Sequence, residues 1–285
     1  MTEEVENLRI VMAGGGTGGH VFPALNMAEA IKKKWKCEFL FFGTKRGFES
    51  KMIPEKGYKL KIIPVAGFHR RMIIKNLSFP LKLLKSMQIC RQTLKEFNPH
   101  LAIGSGGYVM GPVLKTAAKM KIPMVIQEQN SYPGITTRLL AKRADIIFLG
   151  DPDARKYLAG AKKLVDSGNP IAFKKTMTDK QEILKSFGLK NGLKTVLVFG
   201  GSQGALNINR AVKQILERNI LPKNMQLLWQ TGEQGCKEYQ DYILENKIEN
   251  VVVKAFINEM NKAYAAADFA VCRAGAITIS ELKAA

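Results

Sequence analysis

One supersecondary plan occurs twice in this chain of 285 residues. Residues 9–31, RIVMAGGGTGGHVFPALNMAEAI, and residues 194–216, KTVLVFGGSQGALNINRAVKQIL, both run from a β-rich segment through a glycine loop into an amphipathic helix. Short apolar runs at 37–43, 100–106, 124–129 and 144–150, then at 226–232, 251–256 and 268–275, read as further strands separated by helical stretches such as PALNMAEAIKKKW and TTRLLAKR. Alternation of this kind builds βαβ units and parallel sheets, and two copies of the plan imply two Rossmann-like domains. Glycine and proline break the periodicity at Ser167-Gly168-Asn169-Pro170, so the domains are expected over 1–167 and 168–285. The final TISELKAA reads as an opening helix, with Thr278 as N-cap and Glu281 as its capping-box partner. A second sheet short of strands makes a truncated second domain the expectation.

The formal net charge of +20 draws the chain toward a polyanion. No acidic residue occurs between Glu55 and Glu96, and within that span Arg70, Arg71, Lys75, Lys82 and Lys85 interleave with Met72, Ile73, Ile74, Leu77, Phe79, Leu81, Leu83 and Leu84. Cations beside large aliphatics suit an anionic membrane surface, where the aliphatics enter the acyl boundary and the cations meet lipid phosphates. Nucleic-acid surfaces more often use aromatic stacking, and nucleic acid is not an expected partner. A solvated basic face over a core helix is the plainer alternative. No run of apolar residues is long enough to span a bilayer, and the acidic start MTEEVENLRI is not a signal peptide. Cys37, Cys90, Cys236 and Cys272 are far apart and form no CxxC pair, against a disulfide framework or a zinc site.

Three glycine clusters end predicted strands: Gly14–Gly19, Gly104-Ser105-Gly106-Gly107 and Gly200-Gly201-Ser202-Gln203-Gly204. Glycine lets backbone amides approach an anion, and the following helix N-terminus adds a favourable dipole. Each cluster alone is equally a tight turn, but together they mark the sheet edge where open α/β folds bind ligands. Gly14, Gly16 and Gly19 also satisfy GxGxxG, yet the second strand ends in Gly43-Thr44-Lys45-Arg46, without the acidic residue an NAD site uses. An NADP reading survives through Lys45 and Arg46.

His20, just after the first loop, falls in the first helical turn and suits a general base near neutral pH. Its plainer reading is a helix-start histidine bonded to backbone. Glu128, after the strand MVIQ, is the alternative base or the group that orients His20, and Asn130 offers an uncharged bond to a sugar. Glu281 suits two ribose hydroxyls. His100 reads as structural, and Asp151-Pro152-Asp153 reads as a turn rather than a metal–nucleotide motif.

The runs Gly16–Ala24, Gly106–Pro112, Glu128-Gln129-Asn130, Gly168-Asn169-Pro170, Gly200–Ala205 and Cys272–Ala276 occur in the order found in the MurG family of glycosyltransferases, and the resemblance covers nearly the whole chain. It implies the GT-B fold, two Rossmann-like domains with parallel sheets facing a cleft, and no metal or cofactor. It implies transfer of N-acetylglucosamine from UDP-N-acetylglucosamine to lipid I, with inversion, by a protein held peripherally at the cytoplasmic face of the membrane. By position, Thr17, Gly18, Gly19 and Asn130 resemble residues around the donor sugar, diphosphate and acceptor. Tyr108 resembles an acceptor-site residue, and Ser202 the phosphate-contacting serine. Ile257 resembles the residue whose backbone reads uracil, Ala276, Ile277 and Thr278 the turn over the nucleotide, and Glu281 the ribose-binding glutamate. His20 resembles the candidate base. Two departures stand out: Ala172 replaces a frequent arginine, with Lys174 or Lys175 nearby, and the family continues past this chain's end with a donor-sugar motif. The alternatives are an NADP-dependent oxidoreductase and an inactive fragment acting as a nucleotide- or membrane-binding module.

Overall fold

The computed structural model describes residues 7–67, 79–172, 178–201 and 204–285. The chain forms two compact units, Met1–Ala172 and Phe173–Ala285. The Gly168–Pro170 stretch, expected at the join, packs with the first.

In the first unit, β1 (Leu8–Gly14), β2 (Cys37–Gly43), β3 (Lys59–Ile62), β4 (Leu101–Gly106), β5 (Met124–Glu128), β6 (Ile146–Leu149) and β7 (Leu164–Asp166) form one sheet in the order β3-β2-β1-β4-β5-β6-β7. Every pairing is parallel. Between strands run α1 (Gly18–Lys32), α2 (Glu49–Glu55), α3 (Phe79–Phe97), α4 (Gly107–Lys119) and α5 (Ile135–Leu140). Successive side chains of β1 face opposite sides of the sheet, as strand geometry requires. Val11 and Ala13 join the core under α3, α4 and α5, while Ile10 and Met12 join the one under α1 and α2. A sheet covered on both faces explains why its inner strands read as apolar runs rather than as alternation.

The second unit repeats the plan with β8 (Lys194–Phe199), β9 (Met225–Gln230), β10 (Val251–Lys254) and β11 (Phe269–Cys272), in the order β10-β9-β8-β11, all parallel. Its helices are α6 (Lys180–Phe187), α7 (Leu206–Glu217), α8 (Cys236–Glu245), α9 (Met260–Ala266) and α10 (Ala276–Ala284). Leu197 and Phe199 face α6 and α9, whereas Val198 joins Trp229 under α7 and α8.

In both units the strand order reverses beside the first strand, at β1/β4 and at β8/β11. Such a switch point opens a crevice at the carboxyl ends of the two strands. All four cysteines are unpaired, and burial pushes the Cys90 thiol up to about 12. Asp151 caps a short 3-10 turn by accepting the Asp153 N–H at 2.9 Å, the turn expected there. His100 Nδ1 accepts the Arg9 N–H at 3.0 Å, a structural role. One local expectation is corrected. α10 begins at Ala276 with Gly275 as N-cap, so Thr278 lies inside the helix and is not its cap.

Candidate active site

The first switch point is built from the ends of β1 and β4. Gly14 pairs with Gly106 across an irregular register, and Gly16, at φ +92°, turns the chain into α1. A carboxylate holds this turn. Glu49 is fully buried, and its Oε2 accepts the Gly16 N–H at 2.8 Å while its Oε1 accepts the Thr44 N–H at 2.9 Å and the Thr44 hydroxyl at 2.8 Å. The acid beside the glycine loop is thus turned inward and spends its oxygens on the loop and on Thr44. Tyr108 covers the loop: a Cβ on Gly16 would lie 2.8 Å from its ring, and its hydroxyl is 3.5 Å from Thr44 Oγ1. Thr17 is the N-cap of α1, exposed, with no side-chain capping bond, and no acidic residue stands in the first turn. The amides of Gly18 and Gly19 therefore begin a helix whose positive end has no side-chain cap.

His20, third residue of α1, is half-buried and clamped by the end of β4. Its Nδ1 lies 3.1 Å from the Ser105 carbonyl oxygen and 3.1 Å from Gln129 Oε1, and the Ser105 hydroxyl donates to the His20 carbonyl at 2.7 Å. Gly106 makes this possible. Its φ is +105°, and a Cβ there would sit 2.5 Å from His20 Nδ1.

Glu128 does not reach His20. It is buried, accepts the Asn130 N–H at 3.1 Å, the Asn130 Nδ2 at 2.9 Å and the Gly134 N–H at 3.2 Å, and so shapes the loop after β5. The expectation that Glu128 orients His20 is corrected, because that contact belongs to Gln129. Since Asn130 Nδ2 faces Glu128, its Oδ1 is directed away as an acceptor. The roles of Gln129 and Glu49 were missed. The adjacent Gln129 is legible only as part of the Glu128-Gln129-Asn130 run, and Glu49 lies six positions beyond Gly43, the end of the second strand, outside the place where a ribose-binding acid is expected.

In the second unit, Gly201 and Gly204 both have positive φ, +88° and +76°, and a Cβ on Gly204 would meet the Thr231 carbonyl oxygen at 2.0 Å. α7 follows, capped by Ala205 without a side-chain bond and with no acid in its first turn. Ser202 lies outside the described residues. Gln230, buried at the end of β9, donates to the Gly201 carbonyl at 3.1 Å and accepts the Ile257 N–H at 2.8 Å. The Ile257 amide is thereby engaged. Ala276, Ile277 and Thr278 form the first turn of α10, one turn before Glu281. Glu281 Oε2 accepts the Tyr264 hydroxyl at 2.8 Å. Burial pushes the Glu281 carboxyl above the usual range against the opposing effect of that bond, and burial likewise raises Tyr264.

Of the basic-aliphatic segment, Arg70, Arg71, Ile73, Ile74 and Lys75 lie outside the described residues, as do Lys174 and Lys175. Phe79 and Leu83, expected at the surface, are half-buried at the start of α3, where Leu81 and Leu84 are instead 72% and 65% exposed beside exposed Lys82 and Lys85. The helix period explains the exchange, because Leu83 shares a face with the buried Ser86 and Cys90. No helix among the described residues is long and apolar enough to cross a membrane.

Residues 10–149 match the glycosyltransferase family 28 N-terminal domain and residues 195–285 the family 28 C-terminal domain. The UDP-N-acetylglucosamine–N-acetylmuramyl-(pentapeptide) pyrophosphoryl-undecaprenol N-acetylglucosamine transferase of Phocaeicola vulgatus is 42% identical, covering 97% of this chain and 74% of the relative. The transferase of the same name from Acetivibrio thermocellus is 38% identical, over 97% and 75%. Among solved structures, Acinetobacter baumannii MurG aligns with a TM-score of 0.67 at 27% identity, covering 95% of this chain and 75% of that one. The calicheamicin glycosyltransferase CalG4 aligns at 0.67 with 10% identity, a likeness of fold alone. Nothing among these similarities supports the NADP-dependent oxidoreductase alternative. Two parallel-sheet α/β units of the GT-B type, matched in order by both family 28 domains and by close relatives along three quarters of their length, place this chain in glycosyltransferase family 28, within the MurG family.

Proposed function

We propose that this chain transfers N-acetylglucosamine from UDP-N-acetylglucosamine to the 4-hydroxyl of the muramyl sugar of lipid I, with inversion at the anomeric carbon. The observation that carries the reading is the placement of His20. In a family 28 N-terminal domain it stands at the switch point, in the first turn of an uncapped helix, with its Nδ1 held by two oxygens.

The first unit receives the acceptor. The amides of Gly18 and Gly19 and the Thr17 hydroxyl meet its diphosphate, as helix N-termini do for anions. Asn130 Oδ1 and Tyr108 contact the sugar. His20 Nε2 takes the proton of the attacking hydroxyl, a contribution of about 10²–10⁴-fold in rate. Glu128 sets the Asn130 amide and is not the base. The second unit receives the donor. The Ile257 carbonyl accepts from the uracil, Glu281 accepts from the ribose hydroxyls, and Ser202 with the amides at the start of α7 stabilises the departing diphosphate by fixed dipoles.

Docking on an anionic membrane places the first unit beside its lipid-held acceptor. Exposed Leu81 and Leu84 enter the interface, and Lys82 and Lys85, with the basic residues before them, meet lipid phosphates. Nucleic acid is not a partner in this reading.

Calorimetry with added nucleotide tests the donor assignment. UDP-N-acetylglucosamine at one hundred times its Kd should stabilise the protein by about 2.7 kcal/mol. Equal stabilisation by NADP, or none by the UDP-sugar, contradicts it.

A further inference from the structure

The proton-accepting role of His20 requires one tautomer, and the residues around its ring select it. Both groups near Nδ1, the Ser105 carbonyl and Gln129 Oε1, are oxygens without a proton to give. A neutral imidazole carries one N–H, and only an Nδ1–H satisfies these contacts. Nε2 is then the nitrogen with the lone pair.

The orientation of the Gln129 amide is itself fixed. Its Nε2 turns two hydrogens toward three acceptors, the Ser105 carbonyl at 2.8 Å, the Gln127 carbonyl at 3.1 Å and Gln127 Oε1. A flipped amide would set Gln129 Oε1 against three oxygens. Gln127 is fixed in turn, because its Nε2 donates to Asn169 Oδ1 at 3.1 Å. Asn169 Nδ2 donates to the Gln129 carbonyl at 3.3 Å and closes the chain of amides. Gln127 and Gln129 are both buried, so water does not compete for these bonds.

Resting on the proposed base role of His20, we propose that Gln129 is the positioning residue that holds His20 in its Nδ1–H form, with Gln127 and Asn169 setting the direction of the Gln129 amide. During transfer, Nε2 gains the proton of the attacking hydroxyl and the ring becomes an imidazolium. The Nδ1 proton stays on its bonds to Ser105 and Gln129. Their carbonyl dipoles, in place of a carboxylate, stabilise the charge that forms. No proton passes to Gln129.

Nitrogen-15 NMR of the histidine-labelled chain tests this without a bound substrate. His20→Gln assigns the His20 signals among the three histidines. At pH above the ring's titration, the wild-type protein should show an N–H-type Nδ1 and a lone-pair-type Nε2. Gln129→Met, which keeps length and removes the amide, should mix the two tautomers at His20 and leave His100 unchanged. It should also lower kcat with KM held, by about the 10–100-fold lost when orienting partners of metal-bound histidines are removed. If Gln129→Met fails to fold, Gln127→Met, which removes the side-chain acceptor that sets the Gln129 amide, takes its place with the same expected mixing at His20. Turnover retained in His20→Gln alongside an Nδ1–H spectrum sinks the base reading and supports the tautomer assignment. An Nε2–H ring in the wild-type protein, or an unchanged tautomer ratio in folded Gln129→Met, overturns the proposal.

Discussion

The Glu49 carboxylate accepts the Gly16 amide hydrogen at 2.8 Å from a fully buried position, and its donors among the described residues are all uncharged. Three donors, two of them backbone amides, stand in for solvent around this charge. Glu49→Ala strands both amides, and each buried donor left unmade costs about 1–3 kcal/mol. The expected loss is about 3–5 kcal/mol by chemical denaturation, and Glu49→Gln should lose less because one oxygen still accepts. A loss below about 1 kcal/mol in Glu49→Ala would show that the loop holds itself.

Gly106 and Gly57 separate contact from conformation. Both have positive φ, +105° and +77°, but a Cβ at Gly57 meets nothing within 4 Å while one at Gly106 strikes the His20 ring. Gly57→Ala should cost about 1–2 kcal/mol, the strain of a left-handed alanine. Gly106→Ala should cost more and also abolish turnover, because the imidazole must leave its place. Equal effects of the two substitutions in a melting and turnover comparison would remove the packing argument.

Glu281 gives the second unit a pH dependence of defined sign. Burial raises its carboxyl above the unfolded value, so the native state keeps its proton to higher pH. Its contribution to stability is fully present below the ordinary carboxylate range and is lost as pH rises through the raised folded value. Glu281→Gln keeps an acceptor for Tyr264 and removes the ionisation. Melting followed from pH 4 to pH 7 should show a shallower decline in that variant and a higher Tm near neutrality. UDP affinity should fall about 10–100-fold, the worth of a hydrogen bond to a charged group. A steeper decline would contradict the buried ionisation, and unchanged UDP affinity would count against the ribose role.

Leu81 and Leu84 with Lys82 and Lys85 should set the membrane affinity contributed by α3. Leu81→Ser with Leu84→Ser should weaken binding to phosphatidylglycerol vesicles at any salt. Lys82→Glu with Lys85→Glu should weaken it most at low salt, each charge near the surface being worth about 1 kcal/mol. Sedimentation with vesicles reads both, and equal binding to neutral vesicles would contradict the proposal.

The sequence makes the inner strands and the glycine turns legible because long apolar runs and repeated glycines are local signals. The edge strands β3 and β7 are not legible in the sequence. KLKI is largely exposed and LVD is only three residues long, so neither carries a core pattern. The His20 site is legible as a position, in the first turn of α1, but its partners are not. Ser105 and Gln129 are 85 and 109 positions away from His20, brought in by the adjacency of β1, β4 and β5 that only the sheet order supplies. From sequence, Glu128 reads as a base because carboxylates are reactive. Strand alternation sends it to the loop and hands the histidine to its neutral neighbour.

The direct test is the rate at which labelled N-acetylglucosamine passes from its UDP donor to a soluble lipid I analogue, wild type beside His20→Gln. The expected result is transfer by the wild type, reduced about 10²–10⁴-fold in the variant with donor affinity intact. Comparable rates in the two proteins, or transfer by neither, would contradict it.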